Sequence, residues 1–147
     1  MKLYRFGDNG FINKQQIEKN IDLANEYKIL VPKASPGGDS YPHSILSKPI
    51  ISAPQSCCTE TYIVIGSFQS EEISKRVATY ISTRFFRFLI LLTKSTQDVA
   101  KKVYTFVPMQ NFNESWTDEK LYKKYGLNEE EIKFIESMIR PMELSNE

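Results

Sequence analysis

A β-rich run followed at once by a helix cap and a long apolar stripe constrains this chain more than any other feature. Glu60–Phe68 (ETYIVIGSF) is dense in β-branched and aromatic residues, which fit a pleated, buried surface. It is predicted as a core strand, with Gly66 marking a bulge or exit. Ser70 then offers a side-chain oxygen to free N–H groups, and Glu71-Glu72 oppose the positive end of a helix dipole. From there Ile73, Val77, Tyr80, Ile81, Phe85, Phe88, Leu89 and Leu92 advance by helical steps. The spacing predicts one long helix over Ser70–Leu92, with this stripe in the core and Lys75, Arg76, Thr79, Thr83 and Arg87 on its other side.

The rest of the chain supplies smaller pieces. Ile17, Ile21 or Leu23, and Ala24 predict a helix over Lys14–Tyr27. Tyr27–Ala34 reads as a strand, ended by the turn-forming Ser35-Pro36-Gly37-Gly38-Asp39-Ser40. Pro42, Pro49 and Pro54 exclude a helical period up to about Thr59, with Pro49–Ser52 a candidate strand. Val103–Val107 is a further short strand, stopped by Pro108. Leu121, Tyr122 and Tyr125 mark a helix closed by Gly126; Asn128 to Glu131 is a capping-box pattern opening another that carries Ile132, Ile135 and Ile139. The expected fold is α+β: a small mixed or mainly antiparallel sheet packed by one long helix, with a C-terminal helical pair. Residues 1–112 would form the core and 113–147 a helical extension, whose nine acids outnumber five bases.

Charge is unevenly spread. The 147-residue chain carries a formal net charge of only +1, yet Lys75, Arg76, Arg84, Arg87, Lys94, Lys101 and Lys102 are accompanied between positions 75 and 102 by one acid, Asp98. A local excess of this kind attracts a polyanion, although a solvated helix face would have the same composition. No apolar run is long enough to cross a bilayer, and the N-terminus lacks the apolar core of a signal peptide. The adjacent Cys57 and Cys58 are poorly placed to bridge each other, which points to a reduced, cytoplasmic protein. With His43 as the single histidine, catalytic triads and histidine-rich metal sites have almost no raw material. No phosphate-cradling glycine loop and no nucleophile-elbow motif occurs.

What remains is binding chemistry. Two polar clusters follow predicted elements: Lys33, Ser35, Asp39 and His43 after a strand, and Lys94, Thr96, Gln97, Lys101 and Lys102 after the long helix. Lys33, Arg84, Arg87, Lys94, Lys101 and Lys102 are candidates for phosphate contacts on DNA. Ser35, Asp39, His43, Thr96 and Gln97 have the donors and acceptors that read base edges. Ordinary solvated loops would carry the same residues.

The run Cys58-Thr59-Glu60-Thr61-Tyr62-Ile63-Val64-Ile65-Gly66-Ser67-Phe68, then Phe85-Phe86-Arg87-Phe88-Leu89, Thr96-Gln97-Asp98 and Val103-Tyr104-Thr105-Phe106-Val107-Pro108, resembles the C-terminal region of bacterial adenine-specific DNA methyltransferases of type II restriction–modification systems. Some of those are fused to, or encoded with, a restriction endonuclease. Trp116-Thr117-Asp118-Glu119-Lys120-Leu121-Tyr122-Lys123-Lys124-Tyr125-Gly126-Leu127 and Ile135-Glu136-Ser137-Met138-Ile139-Arg140-Pro141-Met142 resemble the end of the same proteins, so the likeness spans about Tyr27 to Met142. The resemblance implies a target-recognition domain for double-stranded DNA, partnered by an N-terminal methyltransferase domain of the same protein that binds S-adenosylmethionine. The family's Pro-Pro catalytic motif and cofactor glycines are absent, so the chain is expected to be a detached part with no cofactor and no activity of its own. Two alternatives stay open: a metal-dependent restriction nuclease using carboxylates such as Asp39 and Glu60, and a module that only clamps a partner subunit.

Overall fold

The computed structural model describes residues 1–34, 42–93, 104 and 107–144. The fold is α+β. Among the described residues six strands form two three-stranded sheets. In the first, β1 (Lys2–Tyr4) lies antiparallel to β2 (Asn9–Phe11) and parallel to β5 (Ser56–Cys58). In the second, β3 (Tyr27–Pro32) is central, with β4 (Ile50–Ser52) and β6 (Tyr62–Phe68) antiparallel on either side. The expected small sheet is thus two sheets, one mixed and one antiparallel. Gly66 takes a φ of 108°, and the Phe68 ring occupies the space a Cβ would need, so glycine is required there.

The expected long helix is broken in two. Helix α1 (Glu71–Ile81) starts where predicted, with Ile73 N–H donating to Ser70 Oγ at 3.2 Å. It ends because Ser82 and Thr83 satisfy its last carbonyls with their hydroxyls: Ser82 Oγ donates to Ala78 O at 2.8 Å and Thr83 Oγ1 to Tyr80 O at 2.7 Å. Thr83 then caps α2 (Arg84–Thr93), its Oγ1 accepting from Phe86 N–H at 3.1 Å. The Asp118 carboxylate, distant in sequence, accepts from Arg84 N–H and Phe85 N–H at 3.1 and 2.9 Å and completes that helix start. Thr83 is therefore buried, not on the solvent side.

The predicted Lys14–Tyr27 helix is also corrected. It consists of two 3-10 turns, Lys14–Gln16 and Ile21–Asn25, separated by Asn20 in the left-handed region at φ 56°. Such a residue ends a helical run, and asparagine tolerates it. The C-terminal pair forms as expected: α3 (Asp118–Lys124), capped by Thr117, and α4 (Glu129–Met138), opened by the Asn128–Glu131 capping box. Of the predicted Val103–Val107 strand, Val103, Thr105 and Phe106 lie outside the described residues; Tyr104 packs its ring against Phe86 at 6.1 Å.

One apolar cluster runs from Ile29 and Val31 through Val77, Ile81, Phe86 and Ile90 to Trp116, Leu121, Ile135 and Ile139. Helix α1 covers the β4-β3-β6 sheet, while α2 packs on α1, α3 and α4. The other sheet buries Tyr4 and lies on Ala24, but neither residue belongs to that cluster. A polar clamp joins the two sheets. Lys28, on β3, is only 2% exposed; its Nζ donates to Ser56 Oγ at 3.1 Å and to Glu26 O at 3.2 Å. Ser56 Oγ in turn meets Ser52 Oγ and Ala53 O. Burial pulls the Lys28 ammonium below its ordinary pKa, against the opposing pull of Cys58, Cys57 and Glu26.

Candidate nucleic-acid interface

Four of the predicted DNA-contacting residues are described: Lys33, His43, Arg84 and Arg87. Ser35, Asp39, Lys94, Thr96, Gln97, Lys101 and Lys102 lie outside the described residues, as does most of both polar clusters.

Arg87 cannot be the phosphate contact expected of it. The residue has no exposed surface. Its Nε donates to Ser82 O and Thr83 O, each at 3.2 Å, and Nη1 donates to Ser44 O at 3.1 Å, while Nη2 is buried without a partner. Loss of hydration brings its pKa down to about 10, although Asp118 favours the charged form. The cause is tertiary. Arg87 follows Thr83 by four positions on the face that the 42–46 segment and α3 cover. A helical wheel treats an arginine there as solvated, because it contains no information about distant segments.

Arg84 is largely engaged as well. Its Nε donates to Ile139 O at 3.1 Å and its Nη1 stands 3.6 Å from Glu136 Oε1, which joins α2 to the end of α4. Neighbouring Arg76 is held by Glu72 at 2.7 Å and by Phe112 O at 3.2 Å, and Lys75 lies 3.6 Å from Glu71. Every described cation of the 75–102 stretch thus has an intramolecular partner. Lys33, by contrast, is exposed at the end of β3, fixed by its backbone N–H to Thr61 O at 2.9 Å.

The structure brings His43 and Arg84 to one place. His43 forms a parallel bridge with Ile139, donating its N–H to Met138 O at 2.8 Å and accepting from Arg140 N–H at 2.7 Å. The same Ile139 carbonyl holds Arg84, and the Ser44 carbonyl holds Arg87. The half-buried 42–44 segment is therefore pinned where α2 begins and α4 ends. Exposed Arg140 belongs to this junction, although it is not among the residues expected to contact DNA.

Among the described residues, no group of three or more His, Cys, Asp or Glu side chains could hold a metal ion, and no helix is long and apolar enough to cross a membrane. No family model, curated protein or solved structure matches this chain.

Proposed function

We propose that this chain recognises a site on double-stranded DNA, as the target-recognition part of an adenine-N6 DNA methyltransferase or restriction–modification enzyme. Methyl transfer from S-adenosylmethionine would take place in a separate catalytic domain. The observation that supports this reading best is the pinning of 42–44 beside Arg84 and Arg140. Residues 42–44, which follow Ser35 and Asp39 in sequence, meet the framework beside the Arg84 guanidinium and the backbone of exposed Arg140. The basic segment bearing Lys94, Lys101 and Lys102 follows directly from the end of the same helix, α2. Phosphate contacts orient a protein on DNA while polar side chains read base edges, and a framework with internally bonded groups lowers the ordering cost of both.

The test is fluorescence anisotropy with a labelled pool of random duplexes, followed by sequencing of the bound fraction. Binding near ~50 mM salt that weakens steeply as salt rises, with an enriched sequence, is the expected result. No binding to any duplex at that salt overturns the reading.

A further inference from the structure

Leu92, the last residue of the stripe expected in the core, is 65% exposed, and Phe134 on α4 is 56% exposed. The two helices run antiparallel. Arg84, at the start of α2, bonds Ile139 O past the end of α4, and one turn further Phe88 meets Phe134 edge-on, with ring centroids 5.9 Å apart. Another turn brings Leu92 level with Glu130 and Glu131, because each helix advances about 6 Å per four residues. Phe88, Phe134 and Leu92 therefore form one apolar strip along the α2–α4 seam. It ends at Glu129, Glu130 and Glu131, all exposed, with Lys133 beside them.

We propose that this strip is a protein-docking surface whose occupant is an amphipathic segment with apolar side chains flanked by lysine or arginine. Under the DNA-recognition reading, on which this identification of the partner rests, that segment belongs to the catalytic domain. Exposed Leu92 and Phe134, with half-buried Phe88 touching Phe134 one turn before Leu92, make a contiguous patch rather than scattered surface residues. The charge selects the occupant. The exposed Glu129, Glu130 and Glu131 carboxylates disfavour anionic lipid and attract a cationic partner. A cationic protein segment meets both the apolar and the electrostatic requirement.

The test places the photo-crosslinker p-benzoylphenylalanine at position 134 of the full chain, expressed in its native cells, with position 11 as the control. Phe11 is 86% exposed and lies on the other sheet. The expected product at position 134 is a crosslink to a partner peptide that combines apolar and basic residues. Its yield should fall about tenfold, the equivalent of about 1.4 kcal/mol, in Glu129→Lys/Glu130→Lys, which leaves the Glu131 capping box intact. Crosslinks to a second copy, to DNA or to another part of the same chain, or no crosslink, overturn the proposal. So does a yield indifferent to charge reversal. If duplex binding fails while the basic peptide is captured, the docking surface stands and the DNA reading falls.

Discussion

The two sheets are held by different physics. The β4-β3-β6 sheet is covered by α1 and shares one continuous apolar cluster with all four helices. The β2-β1-β5 sheet has three-residue strands, carries Phe11 almost fully exposed, and is tied to its neighbour through the buried Lys28–Ser56–Ser52 clamp. Burial supplies a large, diffuse stabilisation that grows with area, whereas a polar clamp supplies a small, directional one that fixes geometry. The helical side should therefore carry the stability of the molecule, and the clamp should set where the smaller sheet sits.

The sharpest challenge to that contrast is Phe86→Ala. Phe86 is 4% exposed and packs edge-on to Tyr80 at 5.1 Å, so its loss should cost about 3–5 kcal/mol in urea unfolding. An effect as small as that of a surface residue would mean that the helical side is not the stable part.

Arg87→Ala comes next. It removes three donated hydrogen bonds and leaves the Ser44 carbonyl without its donor, which should cost about 2 kcal/mol. The dependence of duplex affinity on salt should be unchanged, because a residue with no exposed surface contacts no phosphate. A reduced salt slope in a folded variant would restore Arg87 as a DNA contact.

Lys28→Met tests the clamp through pH. The unfolded chain keeps the lysine proton up to its ordinary pKa of 10.5, whereas the folded chain releases it at lower pH. Within that window the unfolded state binds more protons, so the Lys28 contribution to stability rises with pH. The stability difference between wild type and Lys28→Met should therefore shift in favour of wild type as pH approaches 10.5 from below. Taking the difference cancels the opposing fall from Tyr80, Tyr104 and Tyr122, whose phenols burial pushes above their ordinary values. A difference flat across pH would mean that Lys28 is as well hydrated in the fold as in the unfolded chain.

The smallest effect belongs to Phe11→Ser, expected within about 0.5 kcal/mol because the side chain is 86% exposed. A larger loss would reveal a core in the small sheet that its burial does not indicate.

Local signals were legible where a residue acts on its own neighbours. Ser70 and the Asn128–Glu131 box cap helices where their sequence patterns put them, since a cap needs only three or four residues. The break at Ser82-Thr83 was partly legible too, because two hydroxyl residues in succession can terminate one helix and start another. The apolar stripe keeps its helical spacing across them, so periodicity alone does not show the break. Asp118 could not be found that way: it caps α2 from more than thirty positions away. The candidate site was less legible than the fold. Arginine chemistry is the same in a buried network and on a DNA-facing surface, and only the covering segment distinguishes them.

By itself, then, the sequence determined the α+β class, the existence of the Tyr62–Phe68 strand (which the fold puts at a sheet edge with only Ile63 buried, not in the core), the start of α1 and the C-terminal helical pair. Those features follow from periodicity and capping, which are properties of neighbouring residues. Tertiary structure decided that the stripe is carried by two helices, that Arg87 is interior, that Leu92 and Phe134 are left exposed, and that a buried lysine joins two sheets. Each of these depends on which distant segment comes to lie over a given side chain, and burial is a property of that meeting rather than of the residue.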